Sequence, residues 1–496
     1  MECRIKVWGT REGTISPLIY GHFIEHLGRC IYGGVFDEDA PCADARGFRK
    51  DVIEAMKQIK CPILRWPGGN FASAYHWEDG VGPKEKRPAL LNYVWGGVET
   101  NRFGTDEFIE YCREIGAEPY ITVSLGTGTL DEALHWLEYC NLDTPTKYAA
   151  MRKAFGHSEP YKVKYWGVGN EVYGHWQVGH CNASEYAEKL RQYAMFMKAL
   201  DPSIKIIAVG ADNPEWDIQV LKHAGRFIDF ISIHQYHGSD EYYDTVAAAY
   251  YVEERLRLLE NLIKGLGFGH VKIAFDEWNV WYRVSAEEEA EKNGVVFLEE
   301  PYNLKDALFA AGVFLVLHRM SDIVGMANLA QMVNALGMLK TSKDTLILTP
   351  IYHVFDLFVN HTGRVVLGLD VNTEYYAIKA KSFVGGRQHF ELSRVPYFDA
   401  SATYDPGRNL LCLAMVNYYK EKSVDVEVDL SDFGIGEKAT CFELGAEDPF
   451  VMNDFENPER IKPMEKTVEL PGENLVFRMV PHSLCVLEIP LLRPLD

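Results

Sequence analysis

Between residues 17 and 330, short β-prone apolar runs alternate with longer stretches whose apolar residues recur every three or four positions. The runs are 17–23, 62–68, 119–125, 164–170, 204–210, 229–236, 271–277 and 323–330. Stretches such as 48–59, 105–116, 182–200 and 302–320 have helical spacing, with Asn182 or Ser184, and Asn303, placed as caps. Eight strand–helix units predict an α/β fold, a (β/α)8 TIM barrel. The near-continuous apolar strands fit a parallel sheet buried on both faces. An open doubly wound sheet would need a glycine-rich phosphate turn. The best candidate, Gly126–Asp131, has Asp where the third glycine belongs.

Past the helix-like stretch 349–363 the texture changes to short alternating or aliphatic strands separated by turn residues. That pattern predicts a C-terminal all-β sandwich, jelly-roll-like in kind. The first run, 3–8, is surplus to the barrel and is assigned to the sandwich. The expected division is therefore 18–360 for the barrel and 1–17 with 361–496 for the β domain.

Composition narrows the function more than the fold. The chain has 496 residues and a net charge of −21, with no basic cluster long enough to follow a phosphate backbone. Nucleic acid is not an expected partner. The longest apolar run, 307–317, is about half a membrane span, so no membrane partner is expected either. The N-terminal residues lack the apolar centre of a signal peptide. The ten cysteines show no CxxC pair, which suits free thiols and a cytoplasmic setting.

Chemistry collects where barrel strands should end, which is where barrel active sites lie. Phe23, Glu25 and His26 follow the first strand, Arg65 to Asn70 the second, and Asn170-Glu171 the fourth. His234 to His237 end the sixth, Glu277 to Asn279 the seventh, and Gln331 follows the eighth. Two strand-end carboxyls, Glu171 and Glu277, suit glycoside hydrolysis, where one gives a proton and the other attacks or activates water. Tyr236 and Arg65 are suitable donors to keep Glu277 ionised. Burial near Trp166, Tyr173 and Trp176 would keep Glu171 protonated. Strand alternation turns Asp276 away from Glu277 and to the opposite side. Trp95, Trp176 and Trp281 suit the walls of a sugar subsite, or else belong to the core.

His22-Phe23-Ile24-Glu25-His26 matches a zinc-peptidase pattern that works only on a helix. Here it follows a strand and is flanked by Pro17, Gly21 and Gly28. His22 and His26 are expected to be hydrogen-bonding residues near the barrel mouth, with no metal.

Five stretches, 20–34, 64–71, 166–171, 275–281 and 328–334, resemble the α-L-arabinofuranosidases of glycoside hydrolase family 51. The likeness spans nearly the whole chain. It implies a retaining exo-enzyme, with Glu171 as acid/base and Glu277 as nucleophile, acting on arabino-oligosaccharides and arabinoxylan or arabinan fragments. It implies that Glu25, Asn70, Asn170, Tyr236 and Gln331 bind one furanose and that Arg65 orients the nucleophile. Phe23, Trp95 and Trp281 would line the pocket. It further implies no cofactor, an intracellular setting and a homo-oligomer, often a hexamer. The rival on the same scaffold is an endo-glucanase or β-xylosidase.

Overall fold

A computed structural model describes residues 2–382 and 388–495 of the chain. Eight parallel strands close into a barrel: β1 (Gly21–Phe23), β2 (Ile63–Trp66), β3 (Glu118–Val123), β4 (Tyr165–Val168), β5 (Lys205–Ala208), β6 (Phe230–His237), β7 (Lys272–Val280) and β8 (Val324–Ala330). They neighbour one another in chain order, and β8 pairs with β1 to complete the ring. All eight fall within or close to the runs expected from the pattern. The first run is shorter than expected. Pro17–Tyr20 forms a 3-10 turn, because Pro17 cannot donate to a ladder and Ser16 caps the Leu18 amide at 3.3 Å. The long helix caps come from Asn182 and Asn303, each in a reciprocal box with the acidic side chain three residues on.

The barrel interior is layered. Its floor is an apolar plug of Ile63, Tyr120, Tyr165, Ile207, Ala274 and Met326, with Leu18 and Phe230 beneath. Above the plug the inward side chains become polar, beginning with Arg65, Ser232 and Asp276. At the mouth, long segments follow β1 (24–49), β2 (67–104) and β7 (281–303). These segments are where a binding site has room to form.

The first strand, Glu2–Thr14, lies in the C-terminal sheet, antiparallel to Val365–Asn372 and parallel to Val424–Asp429. It is the third from one edge of a continuous nine-stranded sheet. Buried side chains from strands across this sheet form a single core, so the sheet must curl around it. The hairpin Tyr375–Ser382 and Gln388–Pro396 stands apart and packs on the helix Tyr242–Gly265. Phe383, which the sequence pattern adds to that hairpin's first strand, lies outside the described residues.

The apolar run 307–317 lies in the helix Leu304–Arg319, which is buried on all sides except at Arg319. It packs against the helix Tyr242–Gly265, the helix Pro350–His361 and strands of the C-terminal sheet. Among the described residues no helix is long and apolar enough to cross a membrane. Two bodies therefore share this helix as core, and a buried histidine ties them together. His318 Nε2 lies 2.8 Å from Tyr20 Oη, and its Nδ1 lies 3.0 Å from Ser401 Oγ. Burial drives the His318 pKa down to about 3, so the ring stays neutral. His318→Ala would take a hydrogen-bond partner from two buried hydroxyls and open a cavity between them. We expect a loss of about 3 kcal/mol, read as a lower denaturant midpoint at unchanged m-value.

Candidate active site

The site is organised around a guanidinium with almost no access to solvent. Arg65, on β2, is 1% exposed and donates from Nη1 to Glu277 Oε1 at 2.7 Å and from Nη2 to Asn170 Oδ1 at 2.6 Å. Its charged carbon lies 4.7 Å from the Phe23 ring centre and 5.6 Å from that of Tyr120. Phe23, 1% exposed, thus faces Arg65 and presents no open wall to the mouth.

Glu277 also accepts from Tyr236 Oη at 2.8 Å through its other oxygen. The tyrosine reaches it because Ser232, His234 and Tyr236 alternate along β6 and share one face. Gly69 follows β2, and a Cβ there would lie 2.9 Å from Glu277 Oε1. One at Gly68 would lie 2.7 Å from Glu25 Cγ. Both carboxylates can therefore approach the backbone only because these positions lack side chains.

Glu171 lies just past β4 with φ of +43°, a left-handed conformation uncommon outside glycine. The turn brings its Oε1 to 2.8 Å from His234 Nδ1 and 3.3 Å from Tyr173 Oη. Trp176 donates to its Oε2 at 3.3 Å. One ligand atom each from Glu171, His234 and Glu277 lie within 4.8 Å of one another. That density resembles a cation site, but Arg65 already supplies a positive charge at hydrogen-bond distance from Glu277.

Asp276 is placed differently from the alternation argument. It faces the barrel interior, accepting from Tyr120 Oη at 2.7 Å and from Ser232 Oγ. The pairing of β7 with β6 shifts register between Ala274 and Glu277, and its pairing with β8 shifts between Phe275 and Trp278. Such a bulge breaks the two-residue alternation, so neighbouring acids both turn inward. Asp276 Oδ1 is 3.3 Å from His234 Nε2, which makes His234 the bridge among three carboxyls. In the sequence His234 stands out only by its place at a strand end. Its alternation with Tyr236 was the available signal.

The charges follow from this crowding. Burial alone would strip the proton from His234, but the charges of Glu277 and Asp276 and the hydrogen bonds to Asp276 and Glu171 push its pKa up to about 10. Burial opposes ionisation of Asp276, yet Arg65 and His234 hold it well below the usual carboxylate range. Burial works to raise Glu171 as well, but the hydrogen bond and charge of His234 outweigh it and leave it lowered. For Glu277 burial wins and, with the charge of Glu171, raises it against His234, Arg65 and Tyr236. In the free site the easier ionisation thus belongs to Glu171, the reverse of the expected order. The reason is His234, which sits closer to Glu171 than to Glu277.

Around this centre lie the expected binding residues. Glu25, 3% exposed, accepts from the amides of Gly69 (3.1 Å) and Phe71 (2.9 Å), from Trp95 Nε1 (3.0 Å) and from Gln331 Nε2 (2.9 Å). Burial and the charge of Glu277 nonetheless push it up to about 7, against the hydrogen bonds from Phe71 and Trp95 and the charge of Arg65. Asn70 Oδ1 accepts from Gln177 Nε2, a neighbour the sequence reading did not single out. Trp281 packs edge-on to Tyr236, with ring centres 5.6 Å apart. Asn170 Nδ2 and Gln331 Oε1 are buried without a partner. Arg65 and Glu25 fix the other ends of these amides, so one free donor and one free acceptor remain for a polyhydroxylated ligand.

The histidines of the zinc-like pattern do not converge. His22, within β1, has no hydrogen-bond partner and packs on Phe355 with ring centres 4.6 Å apart. It is therefore a core residue and not the hydrogen-bonding one expected; burial drives its pKa down to about 3. His26 instead lies 2.7 Å from Glu99 and accepts from Trp66 Nε1 at 3.1 Å.

Residues 55–255 match the family model described as Alpha-L-arabinofuranosidase 1 domain, and 276–483 match the Alpha-L-arabinofuranosidase C-terminal domain. The chain is 40% identical to alpha-L-arabinofuranosidase C of Emericella nidulans over 469 residues, covering 89% of each. It is 34% identical to the intracellular exo-alpha-(1->5)-L-arabinofuranosidase 1 of Bacillus subtilis, over 85% of each. The alpha-L-arabinofuranosidase of Thermotoga maritima, solved as an arabinose complex, superposes with a TM-score of 0.94 at 51% identity, covering 99% of this chain and 100% of that one. The GH51 enzyme of Thermotoga petrophila does so with the same score and identity, covering 98% and 99%. With two inward glutamates held by one barrel and relatives matched along nearly their whole length, the chain belongs to the α-L-arabinofuranosidases of glycoside hydrolase family 51.

Proposed function

We propose that this arabinofuranosidase removes single terminal α-L-arabinofuranosyl residues by double displacement, with retention at the anomeric carbon. The observation that carries the mechanism is the approach of Glu171 and Glu277, whose carboxyl oxygens come within 4.8 Å. Retaining enzymes space their carboxyl groups at about 5–5.5 Å, whereas inverting ones leave a wider gap for water.

Glu277, oriented by Arg65 and Tyr236, attacks the anomeric carbon while Glu171 protonates the departing oxygen. Glu171 then takes a proton from water, which attacks the glycosyl–Glu277 ester from the vacated side and frees arabinose. The two acids and His234 titrate as one system. The reactive arrangement has the shared proton on Glu171 and the charge on Glu277. A sugar hydroxyl on the free Asn170 amide and another on Glu25 would orient the furanose. The hydrogen bond of the Trp95 indole to Glu25 sets it beside the residues expected to bind the furanose, which supports exo action over an open endo cleft.

A cytoplasmic setting is supported by ten cysteines that are all free among the described residues, and by the name of the Bacillus subtilis relative. Assembly into a homo-oligomer, as a hexamer, is what the resemblance to the family implies. A division into units at 18–360 and at 1–17 with 361–496 is supported by the separate curled sheet.

The activity test is nitrophenol release from an aryl α-L-arabinofuranoside beside the β-xyloside, β-glucoside and α-arabinopyranoside. Strong preference for the furanoside is expected; action on another glycoside alone would overturn the substrate. Glu277→Ala should cost several orders of magnitude in kcat. Glu171→Ala should retain the first step for good leaving groups and be accelerated by azide, giving an arabinofuranosyl azide of retained configuration. An inverted azide from that variant would reverse the two roles.

Glu25 gives a pH prediction with a definite sign. Below its ordinary value of 4.5 both folded and unfolded chains hold the proton. Between 4.5 and about 7 only the unfolded chain has lost it, so stability falls as pH rises through that window and is level above it. Glu25→Gln removes that fall. The Tm of the variant minus that of the native enzyme should therefore increase from pH 4.5 to 7, and a flat difference would refute the raised value.

A further inference from the structure

The Trp95 indole sits on a short hairpin, Leu90–Leu91 against Val98–Glu99, joined by only two residue pairs. Two-stranded ribbons of this size are not stable alone. Nor is this one held by an apolar face, since Leu91 is 78% exposed and Val98 59%. Something else must hold it against the barrel.

At the tip the Trp95 carbonyl accepts from the Val296 amide at 2.9 Å, and the side-chain contacts that hold the rest are polar and buried. At the base of the hairpin, Glu99 is 5% exposed, with Oε2 2.7 Å from His26 Nδ1. Its Oε1 accepts from Tyr32 Oη and from the Asn101 amide, the latter at 2.6 Å. In the loop, Asn92 Nδ2 donates to the His26 carbonyl at 3.1 Å. At the tip, Trp95 Nε1 donates to Glu25. Two adjacent residues after β1, Glu25 and His26, thus grip both ends of the hairpin.

The His26 ring is fixed in its own right. It lies against Phe71, with centres 4.7 Å apart, and against Tyr75 at 5.9 Å, and it accepts from Trp66 Nε1. With Nε2 used as an acceptor, the ring proton is on Nδ1 and faces Glu99. A buried carboxylate needs such partners to stay ionised in place.

We propose that His26, Glu99 and Tyr32 form a buried latch that positions the Trp95 hairpin over the sugar pocket. They are positioning residues: they act on substrate through Trp95 and Glu25. The inference rests on the pocket assigned under the proposed function.

The test is a double-mutant cycle on an aryl α-L-arabinofuranoside, using the full chain, with Glu99→Gln and Trp95→Phe alone and together. Glu99→Gln puts an amide donor opposite the donors from Tyr32, Asn101 and His26. It should raise KM about tenfold while kcat changes less than threefold. Trp95→Phe should then cost little more in that background, because the ring is already displaced. Additive losses in kcat/KM, or an unchanged KM in a folded Glu99→Gln enzyme, would overturn the latch. If Glu99→Gln does not fold, Tyr32→Phe replaces it in the same cycle with the same two criteria, at a KM increase of about threefold. Inactivity of the native enzyme on the furanoside would instead sink the pocket reading on which the latch depends.

Discussion

Everything at the mouth of this barrel depends on a guanidinium sealed inside it. Arg65 faces Glu277, the Asp276 backbone carbonyl and Asn170 at once, and two aromatic rings close over it. Removing one partner of such a buried pair costs about 3–5 kcal/mol, because the remaining charge is left without compensation. The barrel accommodates it because its lower half is plugged by apolar side chains, while Tyr120 reaches up from that plug to Asp276. Packing and charge are therefore coupled through a single side chain of β3.

The balance of charge explains the chemistry. Three carboxyls, Glu171, Asp276 and Glu277, surround two cations, Arg65 and His234. One unit of negative charge is left over. In the free site that excess favours a proton shared by the catalytic pair. Once Glu171 has given its proton up, the same excess faces the positive charge that develops on the furanose ring, where preorganised charge is most effective. Asp276 belongs to this balance although it need not touch substrate. By holding His234 it anchors the imidazole against which Glu171 is set.

The walls are built differently from the floor. Barrel strands are fixed by ladders and by burial on both faces, but the segments after β1, β2 and β7 are long and irregular. Their order comes from buried carboxyls. Glu25 gathers two loop amides, an indole and an amide side chain, and Glu99 does the same for the hairpin base. Glu300 accepts from the amides of Arg283 and Val284 and pins the segment that carries Trp281. Acids that would only burden a helical core serve here as knots for loop backbone.

By itself the sequence determined the eight strands, the place of the first strand in the C-terminal β domain and the two facing glutamates. Arg65 and Tyr236 were legible as partners of Glu277 because β2 and β6 are short, regular and buried, so local pattern and global position agree there. Only the tertiary structure decided the rest. Asp276 turns inward because a bulge in β7 breaks an alternation that composition cannot reveal. His234 became the hub of three acids through contacts from β4 and β7, which lie far from it in the chain. The pair His22 and His26, alike in sequence, separated into a core ring and a hairpin anchor because β1 ends between them. Periodicity is a local property and was readable. Which charge sits beside which depends on strand register and on loops of the barrel mouth, and those are settled only when the ring closes.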